Sequence, residues 1–133
     1  MPQKESELEK EQRAERISAT IALLQAQKSE IEASGVVAPT RCSVARYQAK
    51  GQKHHYWYYQ LRASHAIFLK TNSKNEYSRF QHLGKAGSQS HIDGVRAVIR
   101  RSQIDELTKA IDGLNESWSD LYSDEETCGH RVE

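Results

Sequence analysis

Residues 54–62 read His54-His55-Tyr56-Trp57-Tyr58-Tyr59-Gln60-Leu61-Arg62. Aromatic residues next to one another favour a pleated, half-buried surface over a helix. Side chains alternate along a strand, so His55, Trp57, Tyr59 and Leu61 fall on one face and Tyr56, Tyr58, Gln60 and Arg62 on the other. Leu61 and Trp57 mark the first face as the packed one, which leaves Tyr56, Tyr58 and Arg62 accessible.

Upstream, Arg41 to Ala49 alternates in the same way, with Cys42, Val44 and Arg46 opposite Ser43, Ala45 and Tyr47. Lys50-Gly51-Gln52-Lys53 supplies the turn between the two strands. Downstream, Ala66–Lys70 and Tyr77–Leu83 read as a second hairpin about the turn-rich Thr71-Asn72-Ser73-Lys74-Asn75. These segments predict an antiparallel head of about four strands over 41–83.

On both sides of the head the period lengthens. Ala14, Ile17, Ile21, Leu24, Lys28 and Ile31 follow one another at steps of three and four, with no Gly or Pro from Ser6 to Ala33. A helix over 6–34 follows, ended by Ser34-Gly35 and Pro39. Ile104, Leu107, Ile111, Leu114, Trp118 and Leu121 repeat the heptad spacing, and Ile92, Val95 and Ile99 extend an apolar face toward a capping box at Ser90 and Asp93. One helix over 90–122 is favoured over two. The fold class is therefore α+β: two long antiparallel, coiled-coil-like helices flanking a small antiparallel sheet, in a single domain of 1–133, with 123–133 a frayed acidic tail. The same seams could pair between chains in a homodimer.

The chain has 133 residues, 37% of them hydrophobic and 28% charged, below the apolar share of a thick-cored domain. No apolar run reaches the ~18 residues of a membrane span, and the start lacks the apolar stretch of a signal peptide, so a cytoplasmic protein with no membrane partner is expected. Cys42 and Cys128 are far apart and are read as free thiols. The formal net charge of +1 hides a segregation: residues 41–101 carry twelve Lys and Arg against Glu76 and Asp93, whereas 102–133 carry nine acids against two bases. Either the acidic third neutralises the basic middle within the chain, or the middle attracts a polyanion.

Tyr56 and Tyr58 among Lys50, Lys53, His54 and Arg62 fit the second reading, because aromatic rings stack on unpaired bases while cations hold phosphates. Arg79 adds to this surface. The run His82-Leu83-Gly84-Lys85-Ala86-Gly87-Ser88-Gln89-Ser90-His91 leads a Gly-rich loop into a helix start, where free amides, the helix dipole and Lys85 could hold a backbone phosphate, with Ser88 beside it. The Gly-Lys order is not that of a Walker A loop. Arg96 and Arg100, one turn apart, would extend the basic surface, with Arg101 next to them. Each of these features has a plainer structural reading as small core, capped turn or solvated helix face. No metal-ligand spacing, cofactor motif or catalytic set is present, since the adjacent His54 and His55 point to opposite faces of a strand.

The order of helix, hairpin with Gly51 and Tyr56-Trp57-Tyr58-Tyr59, then Leu83-Gly84-Lys85-Ala86-Gly87-Ser88, His91 and a heptad helix resembles small bacterial, cyanobacterial-like proteins found among plasmid and transposon genes. The likeness spans about residues 36–120. It implies a mobile-element or DNA-handling context and no particular reaction; cysteines near the turn in related hairpin families have no counterpart here. The expectation is a non-enzymatic nucleic-acid-binding protein, DNA before RNA, without cofactor. The alternative is a coiled-coil adaptor whose basic head meets an acidic protein partner.

Overall fold

The computed structural model describes residues 6–51 and 55–127. Its element order is α1 (Glu7–Ser34), β1 (Ser43–Lys50), β2 (His55–Arg62), β3 (Phe68–Leu69), β4 (Tyr77–Ser78), β5 (Phe80–Lys85) and α2 (Gln89–Thr127). The fold is α+β, with two helices and a small antiparallel sheet. Among the described residues no helix is long and apolar enough to cross a membrane.

The chain divides into two compact units, with α2 running through both. The helical unit joins α1 through Ala33 to α2 from Ile104 onward. Ser6 caps α1, its Oγ accepting the Glu9 amide at 3.2 Å, a serine-to-glutamate spacing that suits a helix start. Within α1 the least exposed positions are Lys10, Ala14, Ile17, Ile21, Leu24, Lys28 and Ile31, the anticipated seam. Ile104, Ile111 and Leu121 are the buried positions of the facing stretch of α2. The two run in opposite directions: Lys10 Nζ lies 5.2 Å from the Tyr122 ring centre, and Gln25 to Glu32 share a cleft with Thr108 to Asp112. α2 is one helix, and it continues to Thr127 instead of fraying from 123; residues 128–133 lie outside the described residues.

The head unit spans Ser34–Gln103. Its sheet has three strands in the order β1-β2-β5, and β3-β4 form a separate two-stranded ladder, in place of one four-stranded sheet. The stretch predicted as a single strand over 77–83 breaks at Arg79. There Ala63 N–H donates to the Arg79 carbonyl at 2.8 Å and Arg79 Nε donates to the Ala63 carbonyl at 3.1 Å, so residues before Arg79 pair with β3 and residues after it with β2. β1 starts at Ser43, later than expected, because Arg41 adopts a left-handed φ of 59° that no strand continues through.

β1 pairs β2 with Arg46 opposite Tyr59, Tyr47 opposite Tyr58 and Gln48 opposite Trp57. β5 pairs β2 with a register shift at Tyr59/Gln60, which places Tyr58 opposite Lys85 and Gln60 opposite His82. The extra residue at this bulge is Leu83, one of the few buried leucines. It presses on Gly94 of α2, where an added Cβ would come within 2.7 Å of Leu83 Cδ1.

That contact sets the packed side of α2. His91, Gly94, Ala97 and Val98 are its inward positions in the head, and Ala38 N–H donates to the Ala97 carbonyl at 3.0 Å. Of the expected apolar face Val95 is half-buried, whereas Ile92 is 42% and Ile99 52% exposed. Small residues win the inner stripe because the backbone of the sheet and of the 34–38 linker approach too closely for isoleucine.

The two helical glycines should respond oppositely to alanine. Among the described residues nothing lies within 4 Å of a Cβ at Gly113, so Gly113→Ala should stabilise by about 0.5–1 kcal/mol through helix propensity. Gly94→Ala gains the same propensity but must displace Leu83, and overpacking of about 1–3 kcal/mol should outweigh it. Thermal unfolding of both variants checks this, with Tm expected to rise for the first and fall for the second.

Candidate nucleic-acid interface

Alternation in a registered sheet sorts the side chains into two faces. One face carries Val44, Arg46, Tyr59 and Leu61, and α2 lies on it. The Tyr59 and His91 rings stack with centroids 3.9 Å apart and planes at 21°, and Leu61 is buried. Trp57 was expected among these packed residues and is not: it is 46% exposed, with the Arg46 guanidinium 4.0 Å from its ring centre. α2 covers the Tyr59–Leu61 end of β2, and Trp57 lies toward the hairpin tip, where a cation covers it instead of a helix.

The other face carries Tyr47, Tyr56, Tyr58 and His82 as one aromatic cluster. Tyr47 and Tyr58 stack at 5.9 Å, Tyr58 and His82 are 5.5 Å apart, and Tyr56 and Tyr58 6.5 Å apart. The Tyr47 hydroxyl and His82 Nδ1 share a 2.8 Å hydrogen bond that ties β1 to β5 across β2. Lys85 stands opposite Tyr58, and Arg62 opposite Phe80. Tyr56, Arg62, Phe80, His82 and Lys85 are exposed, and Tyr47 and Tyr58 are half-buried against their neighbours.

The residues singled out from the sequence therefore divide. Tyr56, Tyr58, Arg62 and Lys85 meet on this face. Lys50, at the end of β1, is exposed on the Trp57 side. Lys53 and His54 lie outside the described residues. Arg79 has a structural role through Ala63, and its guanidinium sits 5.6 Å from the Phe80 ring centre. Arg96 is exposed on α2. Arg100 is engaged: Nε donates to Ser34 Oγ at 3.1 Å and a terminal nitrogen to the Val36 carbonyl at 3.0 Å. Arg101 likewise donates from Nε to the Ala38 carbonyl at 2.8 Å. These two arginines fasten the linker that leads from α1 into β1.

The Gly-rich loop also closes on itself. Ser88, not Ser90, caps α2, its Oγ accepting the His91 amide at 3.2 Å while donating to the Leu83 carbonyl at 3.4 Å. The Gly87 amide donates to His91 Nδ1 at 3.0 Å, and the Ser88 amide to the Lys85 carbonyl at 3.0 Å. The Gly87, Ser88 and His91 amides thus have partners within the loop, and Ser88 is a cap. Lys85 belongs to the sheet face. Tyr47, His82 and Phe80 were missed in the sequence, and they complete that face.

Charge follows the two units. Residues 34–103 hold twelve Lys and Arg against two acids, a formal +10, while the remaining residues hold seven against sixteen, a formal −9. Among the described residues, none forms an ion pair with Arg46, Lys50, Arg62, Lys85 or Arg96, and Lys70 pairs with Glu76 at 3.4 Å. Burial raises the Cys42 thiol above its ordinary pKa, and the Arg101 charge lowers it by less, which favours the protonated thiol. Among the described residues no three His, Cys, Asp or Glu side chains gather as a metal set.

Compared with protein-family models, curated proteins and solved structures, the chain matches none.

The two faces should fail differently on mutation. Leu61→Ala should lose about 2–5 kcal/mol of stability, whereas Trp57→Ala, giving up an exposed ring and its arginine contact, should lose no more than about 1 kcal/mol. Urea denaturation of the two variants measures the difference.

Proposed function

We propose that this protein is a non-enzymatic nucleic-acid-binding protein whose head holds single-stranded polynucleotide, DNA before RNA, in a DNA-handling setting of the mobile-element kind. The observation that carries this reading is the open face of Tyr47, Tyr56, Tyr58 and His82, with Arg62 and Lys85 on the same face of a +10 unit. Exposed aromatic rings stack on any base, and cations beside them neutralise the phosphates between stacked bases. Duplex DNA hides its base faces and meets only the charges, so the face favours single strands.

The helical unit takes the accessory role of self-association as a coiled coil. Ile17, Ile21, Leu24 and Leu114 are only half-buried in the single chain, and a second copy would cover them. Its net negative charge repels a polyanion and directs binding to the head.

Titration of single-stranded and duplex DNA and RNA at two salt concentrations tests the proposal. Single-stranded DNA should bind tightest, with affinity falling as salt rises. Tyr58→Ala should weaken single-strand binding by about 1–3 kcal/mol with the fold intact. Lys85→Glu should weaken it for all sequences and flatten the salt dependence. Absence of polynucleotide binding at low salt would overturn the reading and favour a head that meets an acidic protein surface.

A further inference from the structure

A cleft of about 610 Å³ opens beside the aromatic face, between the β3–β4 ladder with its 70–76 turn and the first half of β5. Its size lies within the range of small-molecule sites, roughly 300–1,000 Å³. Phe80 and His82 belong to both surfaces: they line the cleft and stand opposite Arg62 and Gln60 on the aromatic face of the sheet. A strand laid across Tyr58 and His82 therefore reaches the cleft without leaving the protein.

The walls combine two chemistries. Phe68 and Phe80 contribute rings, with Phe80 41% exposed. Asn72 lines the turn side, and among the described residues its carboxamide is not hydrogen-bonded; Gln81 borders the cleft from β5, where it stands opposite Leu61. By contrast, Ser73 on the same wall is committed to its own turn, its Oγ accepting the Asn75 and Glu76 amides at 3.2 Å. Glu76, the carboxylate of the lining, is held by Lys70 at 3.4 Å, which lessens its repulsion of a nucleotide. A planar heterocycle with adjacent donor and acceptor on its edge suits such walls. Asn and Gln carboxamides match adenine in particular, accepting from its exocyclic amine and donating to the neighbouring ring nitrogen.

We infer that this cleft receives one unpaired adenine of the strand held on the aromatic face, giving an otherwise sequence-tolerant surface a base preference at a single position. The inference rests on the single-strand reading of that face and adds a specificity pocket at its end. Asn72 lies in the turn, outside the strands, and among the described residues makes no side-chain hydrogen bond, so it reports on the pocket without disturbing the sheet.

The test uses the full chain and a series of eight-nucleotide thymidine oligomers in which a single adenine is stepped from one end to the other. One register should bind about fivefold or more tighter than the all-thymidine oligomer. Asn72→Ala should bring that register back to the all-thymidine affinity while leaving all-thymidine binding and its salt dependence unchanged. Tyr58→Ala should weaken every oligomer while keeping the ratio between registers. Equal affinity at all registers, or a preference that survives Asn72→Ala, overturns the pocket and leaves the aromatic face standing. No binding of any oligomer by the parent protein overturns both. Preference for another base at the Asn72-dependent position overturns the adenine assignment and with it the inference.

Discussion

Leu83 seated on Gly94 is the contact on which the head depends. The bulge in β5 turns this leucine toward α2, and the missing side chain at Gly94 lets the helix approach. The Tyr59–His91 stack lies on the same side, and its histidine also accepts the Gly87 amide that closes the loop into α2. Sheet, loop and helix start are thereby fixed by two neighbouring residues of α2's inner stripe, His91 and Gly94. Because side chains alternate with a period of two, fixing the covered face of β2 also fixes the open one: a slip of one residue would exchange Tyr58 for Tyr59.

The functional consequence is a division of labour among like residues. Among the arginines, Arg100 and Arg101 bond to the linker, Arg79 bonds to the Ala63 carbonyl, and Arg46 covers Trp57. Arg62 stays exposed opposite Phe80, as Lys85 does opposite Tyr58. Among the aromatics, Tyr59 is used against α2, and Tyr47, Tyr56 and Tyr58 are left together. A count of twelve cations and five histidines over 41–101 says that the head is basic; only the register says which of them stand beside a stacking surface.

Much of this was legible in the sequence, for physical reasons that also mark the limits. Heptad spacing in both helices is long and regular, and the least exposed residues follow it from Ala14 to Ile31 and at Ile104, Leu107, Ile111, Leu114 and Leu121, while Trp118 is 38% exposed. Alternation through Tyr56-Trp57-Tyr58-Tyr59 sorted the tyrosines correctly, but it carried no information on how far along the strand the helix reaches, and so misplaced Trp57. Tyr47 was recoverable: counting back symmetrically across the hairpin turn puts it opposite Tyr58. His82 was not, because its face depends on the bulge after Gln81-His82, and a bulge leaves no periodic trace. The inner stripe of α2 was misread at Ile92 and Ile99, since Gly94 and Ala97 are chosen for closeness, a property that hydrophobic periodicity does not register. The true cap, Ser88, was hidden by the more familiar pattern of Ser90 with Asp93, whose carboxylate instead accepts from Gln89 at 2.8 Å.

The central claim is that one face of the sheet meets the strand. Carbon-detected or proton–carbon NMR of the aromatic side chains, followed while single-stranded oligothymidine is added, tests it most directly. Resonances of Tyr47, Tyr56, Tyr58 and His82 should shift together along one saturating curve, while Tyr59 and His91 beneath α2, and Trp118 and Tyr122 in the helical unit, stay near their starting positions. Saturable shifts confined to Trp118 and Tyr122, or an aromatic face whose resonances do not move, would contradict the account.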